Sequence, residues 1–131
     1  MFEKAIMSEN HVSSSVEDLI EDGKNAKTVH CMHCPSKILS PKNGSYQKIE
    51  FLLPEPRQKK DLGEHNEDLK EELLSDFWVV EDMYRFENMG FSHSVGSVKY
   101  LACADCEIGP IGLYRTDTKC SYVAIARVKH S

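Results

Sequence analysis

The chain has 131 residues and a formal net charge of −5, from 16 basic and 21 acidic residues. This length allows one domain with a single modest hydrophobic core. The acidic balance argues against nucleic-acid binding as the main function, because binding to a phosphate backbone requires a basic face. No run approaches the eighteen or so apolar residues of a membrane span, and no apolar segment of the secretory type precedes the domain, so we expect a cytosolic protein without membrane insertion.

Residues 1–27 are rich in Ser, Glu, Asp and Lys and carry few apolar side chains. Ser14 and Glu17 have the spacing of a capping box, but the apolar stripe that follows is too short to hold a helix by itself. We therefore predict a disordered N-terminal arm over residues 1–27 and a single β domain over residues 28–131.

The first part of the domain has the pattern of short strands. Residues 28–40, "TVHCMHCPSKILS", predict a strand, a turn with two cysteines and a second strand. Asn43-Gly44 is a turn signal because both residue types tolerate positive φ. Residues 45–54 then alternate between polar and apolar side chains, which is typical of a strand, and Pro54 ends them.

Residues 55–76, "EPRQKKDLGEHNEDLKEELLSD", form a second polar segment. Its leucines, Leu69, Leu73 and Leu74, allow at most two turns of amphipathic helix. We therefore predict a flexible surface loop in this part of the chain.

The remaining sequence is dense in strand signals. Residues 77–87 are β-branched and aromatic, and "NMG" at 88–90 closes them with a turn. Residues 97–106 predict a strand that ends in a second pair of cysteines, and residues 121–128 predict the last strand. These patterns indicate a mainly β, mostly antiparallel domain with one long excursion.

Four of the five cysteines fall into two C-x₂-C pairs, the first knuckle (residues 31–34) and the second knuckle (residues 103–106). Two intervening residues let both sulfurs of a knuckle face one point, and two knuckles supply the tetrahedral set that Zn²⁺ prefers. Four thiolates leave no position open for water, so we predict one structural zinc ion that pins two distant hairpins together. The predicted ligands are Cys31, Cys34, Cys103 and Cys106.

Other potentially reactive side chains lie near these cysteines. His30 and His33 flank the first knuckle, and we expect them on the surface or next to the ligands, because the cysteines already complete the shell. Cys120 is the one candidate nucleophile, but "DTKCSYV" offers no neighbouring base, so a half-buried strand thiol is expected. The sequence has no Gly-rich phosphate loop, GxSxG or HExxH, and we predict no covalent catalysis.

Residues 78–114, "WVVEDMYRFENMGFSHSVGSVKYLACADCEIGPIGLY", resemble the Rab-interacting factor family, the "mammalian suppressor of Sec-four" group of guanine-nucleotide exchange factors. The first knuckle with its following strand and the closing "SYVAIARV" also match that family's pattern. The resemblance covers about residues 28–53 and 77–129 and does not extend to the arm or to the 55–76 loop. It implies a β-tent, a fold of curved antiparallel sheets in which a zinc ion joins two hairpins.

The resemblance also implies a function. Family members bind Rab-type small GTPases of the secretory route, preferentially without nucleotide, and act as weak exchange factors or as holdases for the empty form. By this resemblance we expect a monomer without covalent chemistry that is recruited to membranes through Rab proteins. The alternative is a B-type methionine sulfoxide reductase on the same fold, with Cys120 as nucleophile, although "TKCSY" lacks the Arg and Asn typical of that site. A third hypothesis is a zinc-ribbon protein that binds nucleic acid, but the net negative charge argues against it.

The candidate partner-binding residues lie around the second knuckle and in "FENMGF". Asp105 stands between two metal ligands, so its carboxylate should face outward; its alternative role is to accept the knuckle amides. Glu107 follows the last ligand in a segment stiffened by Pro110, and its alternative is a solvated side chain. One phenylalanine of "FENMGF" is expected in the core and the other at the surface. The full candidate set is Asp105, Glu107, Ile108, Phe86, Glu87, Asn88 and Phe91.

Overall fold

The computed structural model describes residues 16–58, 70–92, 94 and 96–131. These residues are mainly β, with antiparallel pairing throughout, which confirms the predicted fold class. No described helix is long and apolar enough to cross a membrane. The strands of the described residues are β1 (Ile20–Glu21), β2 (Lys24–Asn25), β3 (Val29–Cys31), β4 (Lys37–Leu39), β5 (Ser45–Pro54), β6 (Arg57–Gln58), β7 (Glu71–Val80), β8 (Met89–Phe91), β9 (Val98–Cys103), β10 (Ile108–Gly109), β11 (Gly112–Arg115), β12 (Cys120–Ala124) and β13 (Val128–His130).

The strands form one large sheet and two small ones. The large sheet has eight strands in the order β1-β2-β5-β7-β12-β11-β9-β8. A three-stranded sheet has the order β13-β3-β4, and β6 pairs with β10 as a two-stranded ribbon. The first knuckle follows β3 and the second knuckle follows β9, so each cysteine pair is delivered by a different sheet.

The longest pairing joins β5 to β7, from Ser45 opposite Val79 to Pro54 opposite Glu71. An irregularity between Lys48 and Phe51 shifts the register, which is how a long antiparallel pair bends. Side chains along the pair alternate between its two faces, so one strand pair contributes to both parts of the core.

Two apolar clusters form that core. The first contains the only tryptophan, Trp78, which is fully buried beneath the three-stranded sheet's Ile38 and Leu39. The second lies on the opposite face of the sheet and contains Phe77, whose ring meets that of Tyr122 edge-on. Burial of these aromatic and branched side chains supplies the main favourable free energy of folding.

The structure corrects the predicted arm. β1 and β2 lie inside residues 1–27, and Asn25 is fully buried. Its amide nitrogen donates to the carbonyls of Lys27 (2.9 Å) and Ser40 (3.0 Å), and its oxygen accepts from the Gly44 amide (2.8 Å). This buried polar side chain attaches the segment together with Val16, Leu19 and Ile20, which pack against the first apolar cluster. The prediction of disorder is wrong for residues 16–27, and residues 1–15 lie outside the described residues.

The structure also corrects the predicted loop over residues 55–76. Arg57–Gln58 form β6, and β7 begins at Glu71, six residues before the predicted strand start at 77. Leu73 and Leu74, which were expected in the loop, occupy strand positions, with Leu74 buried and Leu73 exposed. The alternation was hidden because the strand begins with two glutamates. Residues 59–69 lie outside the described residues.

A buried arginine interrupts the last predicted strand. Residues 121–128 divide into β12, a 3-10 turn at Ile125–Arg127 and β13. The Arg127 guanidinium donates to the carbonyls of Pro54 (3.0 Å) and Pro110 (2.7 Å), and it pairs with the Glu72 carboxylate at 3.1 Å. The turn directs this side chain inward, so that it joins three segments that are distant in sequence.

Candidate metal centre and knuckle surface

The four predicted ligand cysteines lie together. The sulfurs of Cys31, Cys34, Cys103 and Cys106 are all within 4.8 Å of one another. Across the knuckles, Cys31 Sγ is 3.6 Å from Cys106 Sγ, and Cys34 Sγ is 3.5 Å from Cys103 Sγ. A tetrahedron with metal–sulfur bonds of about 2.3 Å has edges of about 3.8 Å. The cluster therefore has the size and donor chemistry of a closed tetrathiolate metal site. Among the described residues, it is the group whose ligand atoms lie close enough together to hold a metal ion.

Backbone amides support the sulfurs in the same way in both knuckles. The amide of His33 donates to Cys31 Sγ at 3.3 Å, and the amide of Asp105 donates to Cys103 Sγ at 3.4 Å. The Glu107 amide donates to the Cys103 carbonyl at 2.9 Å, and Glu107 has a positive φ of 63° that closes the second turn. The first two bonds place partial positive charge next to the sulfurs of Cys31 and Cys103, and the third fixes the turn of the second knuckle.

The environments of the thiols differ. Burial raises the pKa of Cys31 and raises that of Cys106 to about 12. Contact with the Ser36 hydroxyl, aided by the Ser36 amide, lowers the pKa of Cys34 to about 6. Four thiolates this close repel one another, so a bound cation is what makes the fully ionised set stable.

Side chains outside the cluster join the two knuckles. Ser36, just after the first knuckle, lies 3.4 Å from Cys34 Sγ, and its hydroxyl donates to the Asp105 carboxylate. Asp105 is exposed, as predicted, but its carboxylate accepts this hydroxyl and not the amides of its own knuckle. The contact was missed in the sequence because it joins residues that are distant along the chain.

The start of "FENMGF" fits between the first hairpin and the second knuckle. The Glu87 amide donates to the Ile38 carbonyl (2.8 Å), and the Asn88 side chain donates to the Lys37 carbonyl (3.0 Å). On the other side, the Ala104 amide donates to the Asn88 carbonyl at 2.7 Å. Asn88 has a φ of 56°, which asparagine tolerates better than most residues. Glu87 and Asn88 therefore lie exposed beside both knuckles, and the Glu87 carboxylate pairs with Lys37 at 3.2 Å.

The apolar candidates lie below this surface. Phe86 is half-buried, bridges to Leu39 and packs against the core. Phe91 is also half-buried, and its ring contacts Tyr114 edge-on at 5.6 Å between centroids. One phenylalanine was expected in the core and the other at the surface; instead both are half-buried and pack against the first apolar cluster. Ile108 is half-buried on β10.

The remaining reactive side chains lie outside the cluster. His33 is exposed and His30 is half-buried on β3, which fits their predicted places outside the ligand set. Cys120 begins β12, opposite Arg115, and is half-buried, as expected for a strand thiol.

Comparisons with known proteins identify the family of this chain. Residues 24–130 match the Mss4 protein family. A "Guanine nucleotide exchange factor MSS4 homolog" of Drosophila melanogaster is 43% identical over 111 residues, which cover 85% of this chain and 89% of that protein. A protein of the same name from Schizosaccharomyces pombe is 36% identical over 85 residues, 64% of this chain and 77% of that protein. None of these matches favours a sulfoxide reductase. The chain therefore belongs to the Mss4 family.

Proposed function

We propose that this chain is a guanine-nucleotide exchange factor for Rab-type small GTPases, which it binds preferentially in the nucleotide-free state. The observation that carries this proposal is the family match over residues 24–130, which includes both knuckles and every candidate contact residue. The names of the fly and yeast relatives support the exchange activity. We further propose that the protein acts in the cytosol as a monomer.

The proposed metal is a single Zn²⁺ ion held by the four knuckle cysteines. Zinc has no redox chemistry and readily takes four sulfur ligands in tetrahedral geometry, so it fits a closed tetrathiolate site. Its role here is to hold the β3–β4 hairpin against the end of β9. With all four positions filled by protein ligands, the ion has no open position for a substrate, and the proposed function needs no covalent step.

The proposed contact surface consists of exposed polar side chains beside the knuckles and of half-buried apolar ones. The polar residues are Glu87, Asn88, Asp105 and Glu107, and the apolar residues are Phe86, Phe91 and Ile108. Its acidic groups favour a basic segment of the partner. Asn88 donates to the first hairpin at the Lys37 carbonyl and accepts from the Ala104 amide of the second knuckle, and these two bonds keep the surface rigid. A rigid surface can hold one partner conformation without losing much conformational entropy of its own.

Preference for the empty partner is sufficient for exchange. A small GTPase binds its nucleotide tightly through Mg²⁺ and a phosphate-cradling loop. A protein that binds the empty GTPase more tightly than the loaded one must weaken nucleotide binding by the same factor. If the chain then dissociates slowly from the empty GTPase, the same surface also acts as a holdase for the empty form. One binding preference therefore accounts for both activities.

The test uses a panel of Rab-type GTPases loaded with a fluorescent GDP analogue. The zinc-loaded chain should accelerate release from at least one of them, and it should co-purify with that GTPase only after GDP is removed. Asp105→Ala should reduce both effects. Asp22→Ala is the matched control, because Asp22 is an exposed aspartate on the β1–β2 turn. Failure of the wild-type chain to bind any empty Rab protein would reject the proposal.

A further inference from the structure

A small ribbon extends the knuckle surface toward the long β5–β7 pair. Gln58 lies opposite Ile108, and Arg57 lies opposite Gly109. Two strands of two residues each are marginal by themselves, since isolated two-stranded hairpins are barely stable in water. The ribbon therefore needs support from elsewhere in the fold.

Arg127 supplies support at the base of both ribbon strands. Pro54 precedes β6 by three residues, Pro110 directly follows β10, and the Nη1 atom of Arg127 donates to the carbonyls of both prolines. The Arg127 side chain is only 7% exposed, and Nη2 pairs with Glu72 on β7. A buried guanidinium persists only when its hydrogen bonds are satisfied, so these three contacts constrain one another.

The rest of β10 is held from another direction. A side chain at Gly109 would bring a Cβ atom to 2.7 Å from the Leu101 carbonyl, so the backbone there lies directly against β9. The Ile111 amide donates to the same carbonyl at 2.8 Å. β10 is thus attached to the second knuckle's own strand, whereas β6 joins it through the ribbon pairing and through Arg127.

We propose that Arg127 is a positioning residue for the GTPase-binding surface. It fixes the β6–β10 ribbon, and through the ribbon it sets the orientation of Ile108 and Glu107 at the edge of the second knuckle. This inference rests on the proposed function and extends the contact surface from the knuckles to the ribbon. The hydrogen bonds of Arg127 go to Pro54, Pro110 and Glu72, none of which is a metal ligand, so its effect is separable from zinc binding.

The experiment compares Arg127→Met and Arg127→Lys with the wild-type chain, all zinc-loaded. Arg115→Met is the matched control, because Arg115 lies at the end of β11 and pairs with Asp117 at 3.0 Å on the surface, whereas Arg127 is buried. Three quantities are measured: zinc per chain, release of a fluorescent GDP analogue from the Rab-type GTPase, and hydrogen–deuterium exchange of the ribbon amides at 57–58 and 108–109. Exchange in the free protein reports positioning without any partner.

The Met variant should keep its zinc, and its ribbon amides should show faster hydrogen–deuterium exchange. The rate at which it releases GDP from the GTPase should fall about tenfold, which is the size expected for losing hydrogen bonds from a charged group. The Lys variant keeps the charge but not the forked geometry, so its loss should be smaller. Arg115→Met should match the wild type. Should the Met variant fail to fold, the Lys variant decides the question.

The inference would be overturned by a folded Arg127 variant whose ribbon amides exchange hydrogen at the wild-type rate and which accelerates GDP release as much as the wild type does. A loss of activity fully matched by a loss of zinc would also overturn it, because Arg127 would then act on the whole fold. If the wild-type chain itself releases no GDP from any GTPase, the proposed function fails. In that case faster ribbon exchange in the Met variant still supports positioning of the ribbon, and unchanged exchange overturns it.

Discussion

The Ser36 hydroxyl donates a hydrogen bond to the Asp105 carboxylate and so joins the two cysteine knuckles outside the metal site. Ser36 also lies against Cys34, whereas Asp105 stands between Cys103 and Cys106. The outer face of the cluster is therefore held together by side chains as well as by the sulfurs. The same aspartate is a proposed contact for the GTPase.

This contact predicts energetic coupling between the two residues. Ser36→Ala and Asp105→Asn should each destabilise the zinc-loaded protein, and the double variant should cost less than their sum by about 1 kcal/mol. Urea unfolding of the four proteins measures the cycle, in which the separate contact of Ser36 with Cys34 cancels. Additive effects, within about 0.3 kcal/mol, would show that the hydroxyl and the carboxylate do not interact.

Loss of one ligand cysteine should unfold the domain. Structural zinc contributes roughly 10–16 kcal/mol in zinc-finger peptides, which is comparable to or larger than the typical total stability of a domain, about 5–15 kcal/mol. Cys103→Ser should therefore lose both zinc, measured by elemental analysis, and the β signal in circular dichroism. Cys120→Ser is the control, because Cys120 lies outside the cluster, and it should retain both. A folded, metal-free Cys103→Ser protein would refute a structural role for the ion.

Asn25 should be essential for attaching β1 and β2. Its side chain is fully buried and makes three hydrogen bonds, so Asn25→Ala leaves two carbonyls and one amide without their partner. We expect a loss of about 3 kcal/mol in the free energy of unfolding. Asn43→Ala removes only a surface bond from Arg85 and should cost less than about 0.5 kcal/mol. Equal losses in the two variants would contradict the assignment.

His130 should make stability depend on pH. Its Nε2 accepts a hydrogen bond from the Trp78 indole at 3.0 Å, and burial lowers its pKa from 6.5 to about 4. Between those values the unfolded chain binds the proton more readily than the folded one. The stabilising contribution is therefore complete above pH 6.5 and is lost as the pH falls toward 4.

Urea unfolding followed through Trp78 fluorescence measures this dependence at fixed zinc. His130→Gln keeps an acceptor for the indole but cannot titrate, so its stability should fall less steeply between pH 6.5 and 4 than that of the wild type. Acid release of zinc affects both proteins alike and does not enter the difference. Parallel pH profiles would contradict the assignment.

The strands and the metal site were predictable because their signals are local. Alternation over residues 45–54 and the spacing within each C-x₂-C pair are both visible in a short stretch of sequence. Asn25 and Arg127 were not predictable, since a single polar residue gives no sign that it is buried until its partners are known. Those partners, such as Ser40 and Pro110, are distant in sequence. The errors at residues 16–27 and 71–76 follow from this, because polar side chains there satisfy buried groups or cover the core.

The central claim is that a surface held by the paired knuckles favours an emptied GTPase. The most direct measurement is a closed thermodynamic cycle: the affinity of the chain for the GTPase with and without GDP, and the affinity of the GTPase for GDP with and without the chain. The account predicts that the chain binds the empty GTPase much more tightly than the GDP-bound one. It also predicts that the chain weakens GDP binding by the same factor. Equal affinity for the empty and the GDP-bound GTPase would contradict it.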